Sequence, residues 1–262
     1  MVINNMGARR VIRKFIPDSL AAHLSKAVWQ QINPTWQLQS GLVVEVNNIA
    51  EWVVYNTIFV DGEYDTAIDM LLRSDEDSPL VLDIGANVGY FCMRFADRWL
   101  RKRDEKSSFT VVGVEGSPAT YKELLRRTNQ PALAGRCELH LGLAGKRSGV
   151  GYISTSPFHV TNSIVTKNAR SATRVPFIDL HSLIPENRQI ALLKCDIEGA
   201  EESLLENYTD LFRRVNLAIF ELHSDKCNVE RCVELLDAAG LSYRKNVRQF
   251  AGLTVDLFAR SE

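Results

Sequence analysis

The period of the hydrophobic positions changes repeatedly along the chain, and each change marks an element. Leu80–Ile84 is a short continuous apolar run behind Pro79, as a strand buried on both faces requires. From Val88 to about Lys102 the residues Val88, Phe91, Cys92, Phe95 and Trp99 recur at helical spacing. Phe109–Glu115 returns to the strand pattern. Ser117 and Pro118 then open a helix, as N-cap and first helical residue, that runs to about Thr128. Cys137–Leu143, Ala191–Ile197 and Val215–Leu222 read as further strands. Gly199-Ala200 opens a helix ending near Arg213-Arg214. Val229, Cys232, Val233 and Leu236 form one more helical stripe, stopped by Gly240. Leu241–Asn246 and Thr254–Arg260 flank Gly252 and are placed to form a hairpin. Strands alternating with helices predict an α/β fold, a doubly wound and mostly parallel sheet covered on both faces, with an antiparallel strand at the hairpin end.

Upstream the pattern is less regular. A mixed helix spans Leu20–Gln31, two strand-like runs cover Trp36–Val46 and Trp52–Val60 with a turn at Asn47-Asn48, and Asp65–Arg73 is helical. The expected division is a small N-terminal α+β extension, residues 1–60, and a main domain, residues 61–262. The segment 145–190 is rich in glycine, serine and asparagine, with short strand pieces at Val150–Ser154 and Arg174–Leu180. An exposed edge on the N-terminal hairpin could pair with another copy, so a homo-oligomer is allowed for.

Composition narrows the classes. The 262 residues carry 31 basic and 32 acidic side chains, a net charge of −1. No global field exists to hold a polyanion, so nucleic acid is not the expected partner. Two basic clusters, Arg9, Arg10, Arg13 and Lys14, and Arg101, Lys102 and Arg103, read as solvated faces. Five cysteines without a CxxC pair suit a reducing compartment, hence a cytoplasmic protein. No apolar run reaches the ~18 residues of a membrane span, and the N-terminus lacks a secretory pattern. His223, Cys227 and Cys232 match no common zinc spacing, and no metal is assigned.

In open α/β sheets ligands bind beyond the carboxyl ends of the strands. The first such end is Asp83-Ile84-Gly85-Ala86-Asn87-Val88-Gly89, where small residues allow a sharp turn and close approach to a ligand. A dinucleotide site would need G-x-G-x-x-G, and from Gly85 the second and third glycines are Asn87 and Tyr90, which sets an NAD(P)-dependent oxidoreductase aside. An S-adenosylmethionine (SAM) site needs room for the methionyl tail and an acid near its ammonium, and Asp83 suits that. The next strand ends in Glu115, followed by Gly116 and Ser117, where a carboxylate can accept ribose hydroxyls. A later end carries Asp196 and Glu198, two apart and so on one face if the strand continues. Their alternative role is capping the helix that follows. Glu221 and His223 close the next strand, and a histidine there can take a proton from a hydroxyl as it is methylated.

The strings VLDIGANVGYF, VEGSP, LLKCDIEGAE and FELH, with IFVDGEYDTAI upstream, resemble the FkbM-type methyltransferases, a branch of the class I SAM-dependent enzymes, over roughly residues 58–224. The resemblance implies a seven-stranded sheet, SAM as donor with S-adenosylhomocysteine as product, and O-methylation of a small molecule or sugar. It assigns Asp83, Gly85, Asn87, Gly89 and Glu115 to the cofactor and adds Glu63. It places Asp196 and Glu198 against the transferred methyl. The residues themselves suggest His223 as the base, helped by Asp196, with Glu198 orienting the acceptor or cofactor. A protein that keeps SAM without catalysis is the alternative. The acceptor is not written in these motifs.

Overall fold

The computed structural model describes residues 32, 34–103, 107–154, 172–250 and 252–261. The expected helix Leu20–Gln31 and the cluster Arg9, Arg10, Arg13 and Lys14 lie outside them, as does the middle of the 145–190 segment.

Period-2 alternation inside the buried strands divides their side chains between two layers. In β3 (Leu80–Ile84) and β4 (Thr110–Glu115), Val81 and Val111 enter one cluster. Leu80, Leu82, Ile84, Val112 and Val114 enter the other. The first layer is closed by α2 (Asp65–Arg73) and α3 (Tyr90–Lys102), the second by α5 (Glu201–Asn207), α6 (Thr209–Phe212) and α7 (Val229–Ala238). The expected stripe on α3 holds: Phe91, Cys92, Phe95 and Trp99 are all buried. The helix α4 (Pro118–Thr128) starts at Pro118 with the Ser117 side chain accepting from the Thr120 amide, as the N-cap reading required.

The main sheet has seven strands. Beside β3 and β4 stand β5 (Cys137–Leu141), β8 (Ile190–Cys195), β9 (Val215–His223), β10 (Tyr243–Phe250) and β11 (Leu253–Ala259), in the order β10-β11-β9-β8-β3-β4-β5. Only β11 runs against its sheet partners β9 and β10. Counted along the chain, the strands stand third, second, first, fourth, fifth, seventh, sixth, with the seventh reversed: the class I Rossmann-like arrangement, doubly wound as predicted. The order reverses between β3 and β8, where the register aligns Ile84 with both Val114 and Cys195. Three strand ends therefore finish level at the switch point, where ligands bind in such sheets. A hairpin of β6 (Val150–Ser154) and β7 (Ala172–Pro176) stands apart. Among the described residues no helix is long and apolar enough to cross a membrane.

The N-terminal region corrects the sequence reading twice. Trp36–Val46 is not one strand but a small hairpin, β1 (Thr35–Gln37) with β2 (Val43–Glu45), and the intervening turn contains Gly41 in the left-handed region. Trp52–Val60 is not a strand at all. It forms α1 (Ile49–Tyr55) running into a π-helical turn, Asn56–Val60. The helix start is capped from both sides: Asn48 accepts from the Glu51 amide at 2.9 Å while Glu51 accepts from the Asn47 amide at 2.8 Å. Tyr55 then stacks on Phe59, one helical turn on, at 5.0 Å, and on Trp36 of β1 at 4.7 Å. The helix expected from Gly199 to Arg214 is broken at Tyr208, whose fully buried hydroxyl bonds the carbonyls of Lys146 and Ile178.

Glu51 also ties α1 to α4. Both its oxygens accept from Arg127 at 2.9 Å, and both side chains are almost fully buried. Arg127 further donates to the Glu45 carbonyl and the Tyr90 hydroxyl. Arg127→Met would strand the Glu51 carboxylate without its cation. The expected cost is about 3 kcal/mol, read as a lower urea midpoint at unchanged m-value.

Candidate active site

The glycine turn after β3 is built on backbone conformations that side chains disfavour. Gly85, Asn87 and Gly89 have φ of +81°, +50° and +91°. At Gly85 space is also decisive, since an added Cβ would lie 1.8 Å from the Asp196 carbonyl oxygen. The Asp196 amide in turn donates to the Ile84 carbonyl at 3.0 Å. The first turn and the loop after β8 are thus in direct backbone contact, which only glycine permits.

Glu115 closes β4 beside that turn. One of its oxygens accepts from the Asn87 amide at 2.9 Å and the other from the Ser117 amide at 2.7 Å. Burial pushes its carboxyl pKa up, and these amides and Lys194 pull it back. Each oxygen retains a lone pair for a hydroxyl donor. Gly116 follows without room to spare: a Cβ there would meet Leu143 at 2.9 Å.

Lys194, unremarked by the sequence reading, is the buried cation of the site. Its ammonium donates to the Gly85 carbonyl at 2.6 Å and stands 3.5 Å from Asp83 and 4.0 Å from Asp196. Burial pulls its pKa down, and Asp83, Asp196 and Glu221 more than offset this, holding it above the usual lysine range. Asp83 is fully buried, and burial raises its carboxyl pKa against Lys194.

On the far side, Asp196 follows the end of β8. Burial raises its pKa first, with Glu198 adding to the effect. Glu198 lines the same cavity, but not through the strand alternation expected. The strand stops at Cys195, so alternation no longer applies, and Glu198 takes a left-handed φ of +57°. Its carboxylate accepts from Lys226 at 2.6 Å and lies 3.5 Å from His223 Nε2. His223 ends β9 with Nδ1 3.2 Å from Glu201. Burial lowers its pKa, but Glu201 and the carboxylates of Asp196 and Glu198 push the net value up to about 9. Glu221, two residues back, accepts from the Tyr64 hydroxyl. Burial, with Asp196 and Glu63, pushes its carboxyl up to about 8. Glu63 is itself buried against Arg248, 3.2 Å away.

These groups share one cavity of about 460 Å³. Gly85, Asn87, Glu115 and Gly116 line one part and Glu63, Asp196, Glu198, Glu221 and His223 another, while Asp83, Gly89 and Ser117 act from behind the wall. Asp83 pairs with Lys194, Gly89 caps α3, and Ser117 donates to Glu115. Val53, Thr57, Arg248 and Phe250 add to the lining from α1, the π-helical turn and β10. Asp196, Glu221 and His223 bring donor atoms within 4.8 Å of one another, a spacing that can hold a cation. Lys194 and the His223 imidazolium already supply positive charge there. Tyr64, Lys194, Glu201 and Arg248 escaped the sequence reading. Only Lys194 and Glu201 carried a signal, as charged residues bracketing the Asp196–Glu198 motif.

The family model described as the methyltransferase FkbM domain matches residues 83–248. No curated protein matches the chain in sequence. Among solved structures, magnesium protoporphyrin IX methyltransferase from Synechocystis with bound SAM is similar at 12% identity, over 90% of this chain and 97% of that one, with a TM-score of 0.49. The METTL16 methyltransferase domain is similar at 12% identity over 99% and 96% of the two chains, TM-score 0.48. TrmK of M. capricolum, in complex with S-adenosylhomocysteine, is similar at 9% identity over 74% and 68%, TM-score 0.44.

Proposed function

Because the chain belongs to the FkbM methyltransferase family, we propose that it transfers a methyl group from SAM to a hydroxyl oxygen of a small molecule or sugar. The observation that carries this reading is a single cavity with a ribose-type carboxylate, Glu115, in one part and a histidine among carboxylates, His223 with Asp196 and Glu221, in another. Bound SAM supplies an electrophilic methyl carbon on a sulfonium. The protein needs no covalent nucleophile for such an in-line displacement, and positioning can supply most of the acceleration.

Glu115, with its oxygens set by the Asn87 and Ser117 amides, accepts the ribose hydroxyls. Gly85, Asn87 and Gly116 line the cavity beside Glu115, and Glu63 lines the same cavity with a carboxylate, while Asp83 is paired with Lys194 behind the wall. At the acceptor end the neutral form of His223 takes the hydroxyl proton through Nε2 as the new bond to oxygen forms. Asp196, one of whose oxygens has no hydrogen-bond partner among the described residues, can accept from the acceptor and orient it.

The test is calorimetric titration with S-adenosylhomocysteine and, in parallel, with NADH. Binding of the first alone supports the reading. Binding of NADH alone, or of neither after co-purified ligand has been removed, overturns it.

A further inference from the structure

Glu201 opens α5 and is fully buried, a placement that costs free energy for a charged carboxylate unless its partners are good. Its Oε1 lies 3.1 Å from the Gly199 amide, 3.4 Å from the Ile197 amide and 3.2 Å from His223 Nδ1. Its Oε2 has no hydrogen-bond partner among the described residues. Capping the loop accounts for the two amide contacts. It does not account for the contact with the imidazole. Among the described residues, His223 is the cation in ion-pair range of Glu201, whereas Glu198 is neutralised by Lys226 at 2.6 Å.

The consequence follows from imidazole chemistry. A ring that donates from Nδ1 to a fixed carboxylate carries its lone pair on Nε2 when neutral. His223 lines the cavity, so that lone pair is available to a group bound there. We propose that Glu201 is a positioning residue: its carboxylate accepts the Nδ1 proton of His223, fixes the ring with Nε2 as the basic atom, and stabilises the imidazolium formed when Nε2 takes a proton. This rests on the proposed function in its use of His223 as base. The proton passes from the acceptor hydroxyl to Nε2, the oxygen keeps the electron pair that bonds the methyl carbon, and the imidazolium afterwards releases the proton to solvent. The groups around the ring are Glu201 from α5, Asp196 and Glu198 from the loop after β8, Glu221 from β9 itself, and Lys226 and Cys227 from the turn that follows. Of the carboxylates, Glu201 makes the side-chain hydrogen bond that raises the imidazole pKa most.

The experiment is a pH titration of protein labelled with ¹⁵N in its histidine rings, followed by NMR, with His223→Gln used to assign the signal. In the wild type the neutral ring is expected as the Nδ1–H tautomer, with a midpoint near 9. Glu201→Gln keeps an oxygen for the Gly199 and Ile197 amides but removes the charge. Its midpoint is expected to fall toward the ordinary histidine value of about 6.5. An Nε2–H tautomer in the wild type, or an unmoved midpoint in Glu201→Gln, overturns the proposal. If that variant does not fold, the wild-type tautomer decides alone. S-adenosylhomocysteine calorimetry on the same samples separates the two readings. Absent binding with an intact Nδ1–H tautomer would sink the cofactor assignment and leave the Glu201–His223 pair standing.

Discussion

His223→Ala is expected to lower turnover by about 10²–10⁴-fold, the usual worth of a general base, while S-adenosylhomocysteine affinity stays within about twofold. The expectation follows from placement. His223 sits at the end of β9, across the cavity from Glu115. Its loss removes the proton acceptor without touching the carboxylate that would hold the ribose. Unchanged turnover would remove the histidine from the chemistry. The pH profile gives a second reading of the same residue. With the pKa at about 9, most molecules at neutral pH carry an imidazolium that cannot accept a proton. The kcat/KM of the wild type should therefore rise about tenfold per pH unit toward 9 and then level. Stability has the opposite sign. A histidine whose folded pKa exceeds its unfolded value contributes stability that is complete below about 6.5 and lost as pH rises through 9. Activity and this share of stability are traded across one interval.

Glu115→Ala is expected to weaken S-adenosylhomocysteine by about 100-fold or more in the same calorimeter. Hydrogen bonds to a charged acceptor are worth about 1.5–3 kcal/mol each, and two ribose hydroxyls are at stake. The substitution also releases the Asn87 and Ser117 amides, which the carboxylate now holds. The glycine turn would lose one side-chain tether, while the Gly85 and Ala86 amides stay on the Val114 carbonyl. An affinity unchanged within about twofold would show that the buried carboxylate serves only those two amides.

The centre of the sheet could be read from sequence because β3, β4 and β8 are buried on both faces, so apolar runs and the turns between them coincide. Leu80–Ile84, Val150–Ser154 and the helix from Pro118 to Thr128 match to the residue. The extension was misread for a local reason. Trp52–Val60 is rich in β-branched and aromatic residues, and that composition outweighed the N-cap at Asn48 that the structure uses. At the site, the strand-end motifs come together at one rim of the sheet, around one cavity. What they could not reveal was pairing across it. Lys194 is one of 31 basic residues until Asp83 and the Gly85 carbonyl are seen around it. Glu198 was placed by strand alternation, which ended at Cys195.

The backbone contact between Gly85 and Asp196 has a consequence for anyone wishing to retarget this protein. It welds the glycine turn after β3 to the Asp196 loop after β8, so neither can be redesigned alone. Val53 and Thr57 near the N-terminus and Phe250 in the final hairpin also line the cavity, yet belong to segments outside that weld. A library confined to those three positions would vary the cavity wall while leaving the joint between β3 and β8 as it is, a division of labour that makes the scaffold modular at its rim and monolithic at its centre.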